Sequence, residues 1–446
     1  MTTPQGEGAN RPLPNQPDLR HLKLQAKDLL RAKQAGSLSD AQFQLARSYG
    51  FASWPKLKAH VESLAETGAL KLAIDKEDFA RVRALLGANP ALHAAPIGYK
   101  QSGPLTWLAE CRGLKAPPSA ERLECARWMI AHGSNVHQGC DGPLMRAALN
   151  DLRVPMMELL VANGADVNAR WNGQYPAVCA PCEALAPKAL AWLLDHGADP
   201  NVVSEKYGSP LAMLVATYAR GSKARHECLE VLAAHGATLP DTPAMALHRG
   251  RVDLLEEHLK RDAKLLERRF SEAEIYPPEL GIKPGEGLHA TPVYETTLLH
   301  LAVEYDELEI LEWALARGAD ANAKAGEHAP GFGGHTALFH AVVTMGRKDD
   351  AKAKLLLKHG ADPNARASVY KKLRDVGEPE FEAPQEYRDV TPLGYALRFR
   401  AFAKDGFLKG WVSDAALDAI RAAGGKAGSG AVAGGEGRGG AGDGSL

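Results

Sequence analysis

Residues 156–170 read MMELLVANGADVNAR, and the fold follows from them. Leu159, Leu160 and Val161 form the buried stripe of a helix too short to be stable alone, so it must lean on neighbours. Gly164 sits where a left-handed residue is needed to end that helix. Asp166 and Asn168 are turn formers, whose side chains bond nearby backbone N–H groups as the chain reverses. Helix, stop and turn recur in ALAWLLDHGADPN ending at Asn201, ILEWALARGADANA ending at Ala323 and AKLLLKHGADPNAR ending at Arg366, with weaker copies ending at His137 and Pro240. The stop position is held by Gly133, Gly164, Gly197, Gly236, Gly318 and Gly360, the first three spaced by 31 and 33 residues.

A second phrase lies upstream of each such helix: Thr297-Leu298-Leu299-His300-Leu301-Ala302, Thr336-Ala337-Leu338, Thr391-Pro392-Leu393, Ser209-Pro210-Leu211, Gly142-Pro143-Leu144 and Gly103-Pro104-Leu105. Proline suits a first helical turn, where its missing N–H would have been unpaired, and Thr or Ser before it can cap. Two phrases at matching offsets make a helix-pair repeat.

These phrases resemble the ankyrin repeat over residues 67 to 424, in about nine units, with those near 70–95 and 241–270 degenerate. The resemblance implies an all-α solenoid of stacked antiparallel helix pairs with projecting loops, used to bind other proteins. It also implies that His300 hydrogen-bonds between repeats. The sixth unit departs from the pattern, with Arg261-Asp262 where the stop glycine belongs, so an irregularity is expected there.

The expected organisation is a disordered start (1–17), an N-terminal helical module (18–66), the repeat stack (67–424) and a flexible Gly-rich tail (425–446). The segment LARSYGFASWPKLKAHVESL resembles an N-terminal module of bacterial ankyrin-repeat proteins, and is read as a small helical cap or docking domain.

Composition narrows the function classes. Lys and Arg number 53 against 54 Asp and Glu, a net charge of -1 that gives no global pull toward nucleic acid or anionic membrane. Six cysteines in 446 residues are too sparse for a disulfide framework, and the start has no apolar signal core. No apolar run approaches the ~20 residues of a membrane span. A soluble, cytoplasmic protein is expected.

Three connections, 268–296, 324–335 and 366–390, are enlarged at the same point of the repeat and should project from one edge. Their aromatics Tyr276, Tyr294, Phe332, Tyr370, Phe381 and Tyr387 are the expected partner-binding residues, because exposed aromatics bury much area with few rotatable bonds. The competing reading folds the loops back, so that the aromatics pack on the stack.

No catalytic residue, metal or cofactor is expected. Cys179-Ala-Pro-Cys182 has C-x-x-C spacing but falls in a first helix, with no second ligand pair at zinc-like spacing. His132, His196, His235 and His359 each precede a stop glycine, where the helix dipole favours them. Gly435-x-Gly437-x-x-Gly440 mimics a dinucleotide fingerprint without its strand and helix. The functional expectation is a non-enzymatic protein-interaction scaffold for one or more proteins. The alternative is a nucleic-acid-associated regulator, in which Arg20, Lys23, Lys27, Arg31, Lys33, Lys56 and Lys58 of the 18–66 module meet phosphate through a helix-turn-helix-like arrangement.

Overall fold

The computed structural model describes residues 11–14, 17–98, 101–111, 115–139, 142–283, 287–372, 384–403 and 407–428. They are mostly helical and divide into two compact units, residues 1–147 with 152–166 and residues 148–151 with 167–446.

The first unit opens with α1 (Leu19–Arg31), capped by Asp18, then α2 (Leu38–Ser48), capped by Ser37, and α3 (Trp54–Asp75), with Pro55 in its first turn. Their shared core holds Leu22, Ala26, Ala41, Leu45, Ala46, Leu57 and Val61. Residue 66, the expected end of the module, lies inside α3, one unbroken helix of 22 residues. Helix pairs follow: α4 (Phe79–Ala88) packs on α3, α5 (Pro104–Glu110) on α6 (Ala120–Ala131), and α7 (Gly142–Ala147) on α8 (Val154–Ala162).

The second unit continues with β1 (Arg170–Trp171), β2 (Tyr175–Pro176), α9 (Cys179–Ala184), α10 (Pro187–Asp195), α11 (Pro210–Ala216), α12 (Ser222–Ala234), α13 (Pro243–His248), α14 (Val252–Arg261) and the short α15 (Glu272–Ile275). Then come α16 (Leu298–Glu304), α17 (Leu308–Ala316), β3 (Glu327–Ala329), β4 (Phe332–Gly333), α18 (Ala337–Val342), α19 (Ala351–Lys358), β5 (Ala367–Lys371), β6 (Gln385–Val390), α20 (Pro392–Phe402) and α21 (Asp414–Ala422). First helices pack on first helices (α16 on α18, α18 on α20) and second on second (α10 on α12, α17 on α19), so each short helix covers its apolar stripe with its neighbours.

The turn after each second helix is built alike. The stop glycines adopt positive φ, from 85° at Gly360 to 117° at Gly133, the left-handed region where a Cβ is penalised. Aspartate closes the local turn, Asp320 accepting from Asn322 N–H at 2.8 Å. Asparagine instead joins one repeat to the next. Asn322 donates Nδ2 to Gly360 O at 2.8 Å and accepts from Asp362 N–H at 2.7 Å, and Asn168 and Asn364 do the same toward Gly197 and Asp199, and toward Gly424 and Lys426. In the sixth pair α14 runs into Asp262 in extended conformation, without a glycine, and the chain enters the enlarged connection.

The all-α expectation is corrected. β3, β4, β5 and β6 form one antiparallel sheet in that order, with Gly333 opposite Ser368 and Val369 opposite Tyr387, and β1 pairs with β2 as a small hairpin. Two enlarged loops thus pair with each other, because their backbone N–H and C=O groups need partners once the side chains are buried. β5 alternates buried Ala367, Val369 and Lys371 with half-buried Ser368 and Tyr370.

Candidate interaction surface and its buried anchor

The enlarged connection 268–296 lies across the ends of the first helices. Ser209 N–H donates to Leu280 O at 3.3 Å, Leu288 N–H to Ala216 O at 3.2 Å and Ala290 N–H to the Glu304 carboxylate at 2.7 Å. His335 Nε2 donates to Pro292 O at 2.9 Å. Where this segment crosses the 204–208 turn, two glycines touch: a Cβ on Gly281, itself at φ 89°, would stand 3.0 Å from Gly208 Cα.

Glu304 anchors the segment. Its fully buried carboxylate accepts from Ala290 N–H, from Thr291 N–H at 3.4 Å, from His340 Nδ1 at 2.9 Å and from Arg220 Nη2 at 3.3 Å. Burial alone would raise its pKa, but the His340 hydrogen bond and the Arg220 charge outweigh it and hold the group down at about 2. Arg220 also donates to Leu288 O and lies 4.8 Å from the Tyr305 ring centroid. Arg225, equally buried, reaches the same ring at 5.1 Å and pairs with Glu307 at 3.6 Å; burial and the neighbouring Arg220 lower its pKa to about 10. Lys371 donates to Ala290 O beneath the Phe399 and Trp411 rings, and burial brings its pKa to about 7. Lys352 pairs with Asp306 alongside. A buried charge is tolerated only when paired and bonded: Arg220, Arg225 and Lys352 each face a carboxylate, whereas Lys371 has a carbonyl and two ring faces, and burial favours its neutral form.

The expectation of exposed loop aromatics is therefore corrected. Tyr276 is buried and bonded to Tyr305 Oη at 2.7 Å, Phe332 is buried under Arg388, and Tyr387 is buried edge-on against Tyr395 at 5.0 Å. Tyr294 and Tyr370 are half-buried, and Phe381 lies outside the described residues. The 268–296 segment folds back because Glu304, Arg220 and Lys371 supply partners for its backbone, a constellation with no short-range signature, while the other two loops pair with each other in the sheet.

His300 does bridge repeats. Its Nδ1 faces Thr297 Oγ1 at 2.9 Å and accepts from Thr297 N–H at 3.3 Å, while Nε2 donates to His335 O at 3.1 Å. His132, His196 and His235 turn Nδ1 back to the carbonyl four residues earlier, at 2.7, 2.7 and 2.8 Å. Cys179 and Cys182 are buried in α9, and burial pushes the Cys179 thiol up to about 12. Among the described residues no three His, Cys, Asp or Glu are placed to hold a metal ion. No helix among them is long and apolar enough to cross a membrane. The fingerprint-like glycines at 435–440 lie outside the described residues.

A group not read from the sequence lies on the smaller turns of the second unit. Trp171 on β1, Tyr175 on β2 and Tyr207 on the following turn form an edge-to-face ladder, with ring centroids 6.4 and 5.0 Å apart. Tyr175 is fixed from behind by Glu183 at 2.6 Å. Trp171 and Tyr207 are half-exposed, and Val203 beside them is 61% exposed. Arg170 holds Val203 O at 3.1 Å, and Lys206 stands 5.3 Å from the Tyr207 ring.

Residues 279–367 match the family model described as ankyrin repeats (3 copies), so that segment, spanning α16 to α19, carries ankyrin repeats. No curated protein matches the chain. Among solved structures, the human ASB11 ankyrin repeat domain is similar over 64% of this chain and 99% of its own, at 18% identity and a TM-score of 0.30.

Proposed function

We propose that the chain is a non-enzymatic, cytoplasmic protein-binding scaffold whose contact surface is the ladder of Trp171, Tyr207 and Val203. Ankyrin repeats in residues 279–367 support the class, since such repeats are generally protein-interaction modules. The observation that carries the site is a half-exposed, pre-ordered aromatic pair next to an exposed valine, flanked by the cations Arg170 and Lys206. Aromatics already held in place lose little entropy on binding, and exposed apolar groups on fixed turns mark contact sites. The helix pairs outside 279–367 are read as further repeats, nine in all counting α3 with α4, on the strength of the shared stop glycines and bridging asparagines. Residues 18–66 are read as a helical cap.

The test is affinity capture from native cells with the wild-type chain and with Trp171→Ala/Val203→Asp/Tyr207→Ala. Loss of specific proteins with unchanged helical circular dichroism is the expected result. An identical captured set would exclude this surface.

A further inference from the structure

The outward face of α1 belongs neither to a core nor to the finger ladder. Arg20, Lys23, Leu24, Lys27, Leu30 and Arg31 are all exposed, Leu24 at 52% and Leu30 at 36%. Spacings of three and four residues place them side by side along one helix. Only Arg31 has a carboxylate partner, Asp28 at 3.2 Å; the side chains of Arg20, Lys23 and Lys27 have none among the described residues. Two leucines among four cations, three of them unpaired, form a surface suited to an acidic partner with an apolar floor.

The same unit carries such a partner elsewhere. An open groove of about 670 Å³ runs between α4 and α6, lined by Phe79 and by Glu77, Asp78, Glu121 and Glu124, of which Glu77 is held at 2.9 Å by Arg122, whose guanidinium lies over the Phe79 ring at 5.7 Å. Its own cations are fewer, Arg83 and Arg127, and Arg127 leans on Glu124 at 3.4 Å. Glu121 has no ion-pair partner among the described residues. The packing of α1 is chiefly against α2 and α3.

We propose that the occupant of the α1 face is a second copy of this chain, its α4–α6 groove receiving Leu24 and Leu30 while Glu121 and Glu124 meet Lys23 and Lys27. Knob and groove are different patches, so the contact is heterologous and propagates head to tail. It uses none of the residues of the ladder and stands or falls separately from it.

Sedimentation velocity on the full chain, up to roughly 200 µM, an affinity range in which a modest interface registers, tests this. The wild type should grow in mass with concentration, and weaken at least about tenfold between ~50 mM and ~500 mM salt. Lys23→Glu/Lys27→Glu and Glu121→Lys/Glu124→Lys should each be monomeric. Mixed, they should associate again, because one supplies an intact groove and the other an intact knob, and the two charge-reversed patches are complementary to each other as well. A monomeric wild type, persistent association of either variant, or a mixture without dimers would overturn the proposal. Knob-dependent binding to phosphatidylglycerol vesicles by a monomeric wild type would do the same, and give the face to a lipid surface.

Discussion

Removing the carboxylate at Glu304 is the most informative single perturbation. In Glu304→Ala the Arg220 guanidinium, the Ala290 and Thr291 N–H groups and the His340 Nδ1–H all lose their acceptor in a site without solvent. Each neutral donor left unsatisfied costs about 1–3 kcal/mol, and breaking a buried ion pair by removing one partner costs about 3–5 kcal/mol. These are not additive, since Arg220 keeps its bond to Leu288 O and His340 can change tautomer, so a loss of about 3–5 kcal/mol is expected for the segment as a whole. Hydrogen exchange reads this directly: protection at Ala290 and Thr291 should fall by roughly a hundred- to a few thousand-fold at about 1.4 kcal/mol per decade. Arg220→Ala should cost a similar amount, and the double variant little more than either single one, because the second deletion removes a charge already stranded. Strict additivity to within about 0.5 kcal/mol would show the two side chains to be uncoupled and refute the anchor.

Acidification should destabilise the second unit. Burial, with His340 nearby, lowers His300 to about 3, and burial also drives His335 and His248 well below the usual histidine value. At these histidines the unfolded chain then binds more protons than the folded one between about 6.5 and 3, so their contribution to stability is complete above about 6.5 and falls as pH falls, at up to ~1.4 kcal/mol per unit for each group. Urea midpoints that stay flat or rise from pH 7.5 to 5 would contradict this. Asn322→Ala breaks both bridging bonds to the next repeat and should cost about 1–3 kcal/mol in urea unfolding. Gly281→Ala, with its Cβ against backbone at positive φ, should lower stability by about 1–3 kcal/mol, whereas Gly68→Ala, with open space around it, should be neutral or stabilising in the same melting assay.

The repeat is legible in the sequence because its signals are local: a glycine ends a helix wherever it stands, and Thr297 caps through contacts three residues away. The true role of Asn322 is less so, since its partners lie about forty residues on. The ladder was legible in principle. Trp171, Tyr175 and Tyr207 flank short turns, but only the fold brings the ring of Tyr207 against that of Tyr175. The burial of Tyr276 and Phe332 was not legible, because their partners Tyr305 and Arg388 lie far along the chain, and that of Tyr387 follows from its strand standing opposite Val369. The alternation Ala367-Ser-Val-Tyr-Lys371 is a strand pattern in its own right, with a lysine on the inner face to obscure it.

The contact between Arg220 and Glu304 has a mechanical meaning. In a simple row of repeats, each unit touches only its neighbours and can peel away singly under tension. Here a crosslink ties the turn after α11 to the end of α16, and His340 extends it to α18. Pulled from its ends, the stretch from 209 to 343 should therefore yield as a single rupture, with a longer contour-length step than one repeat supplies.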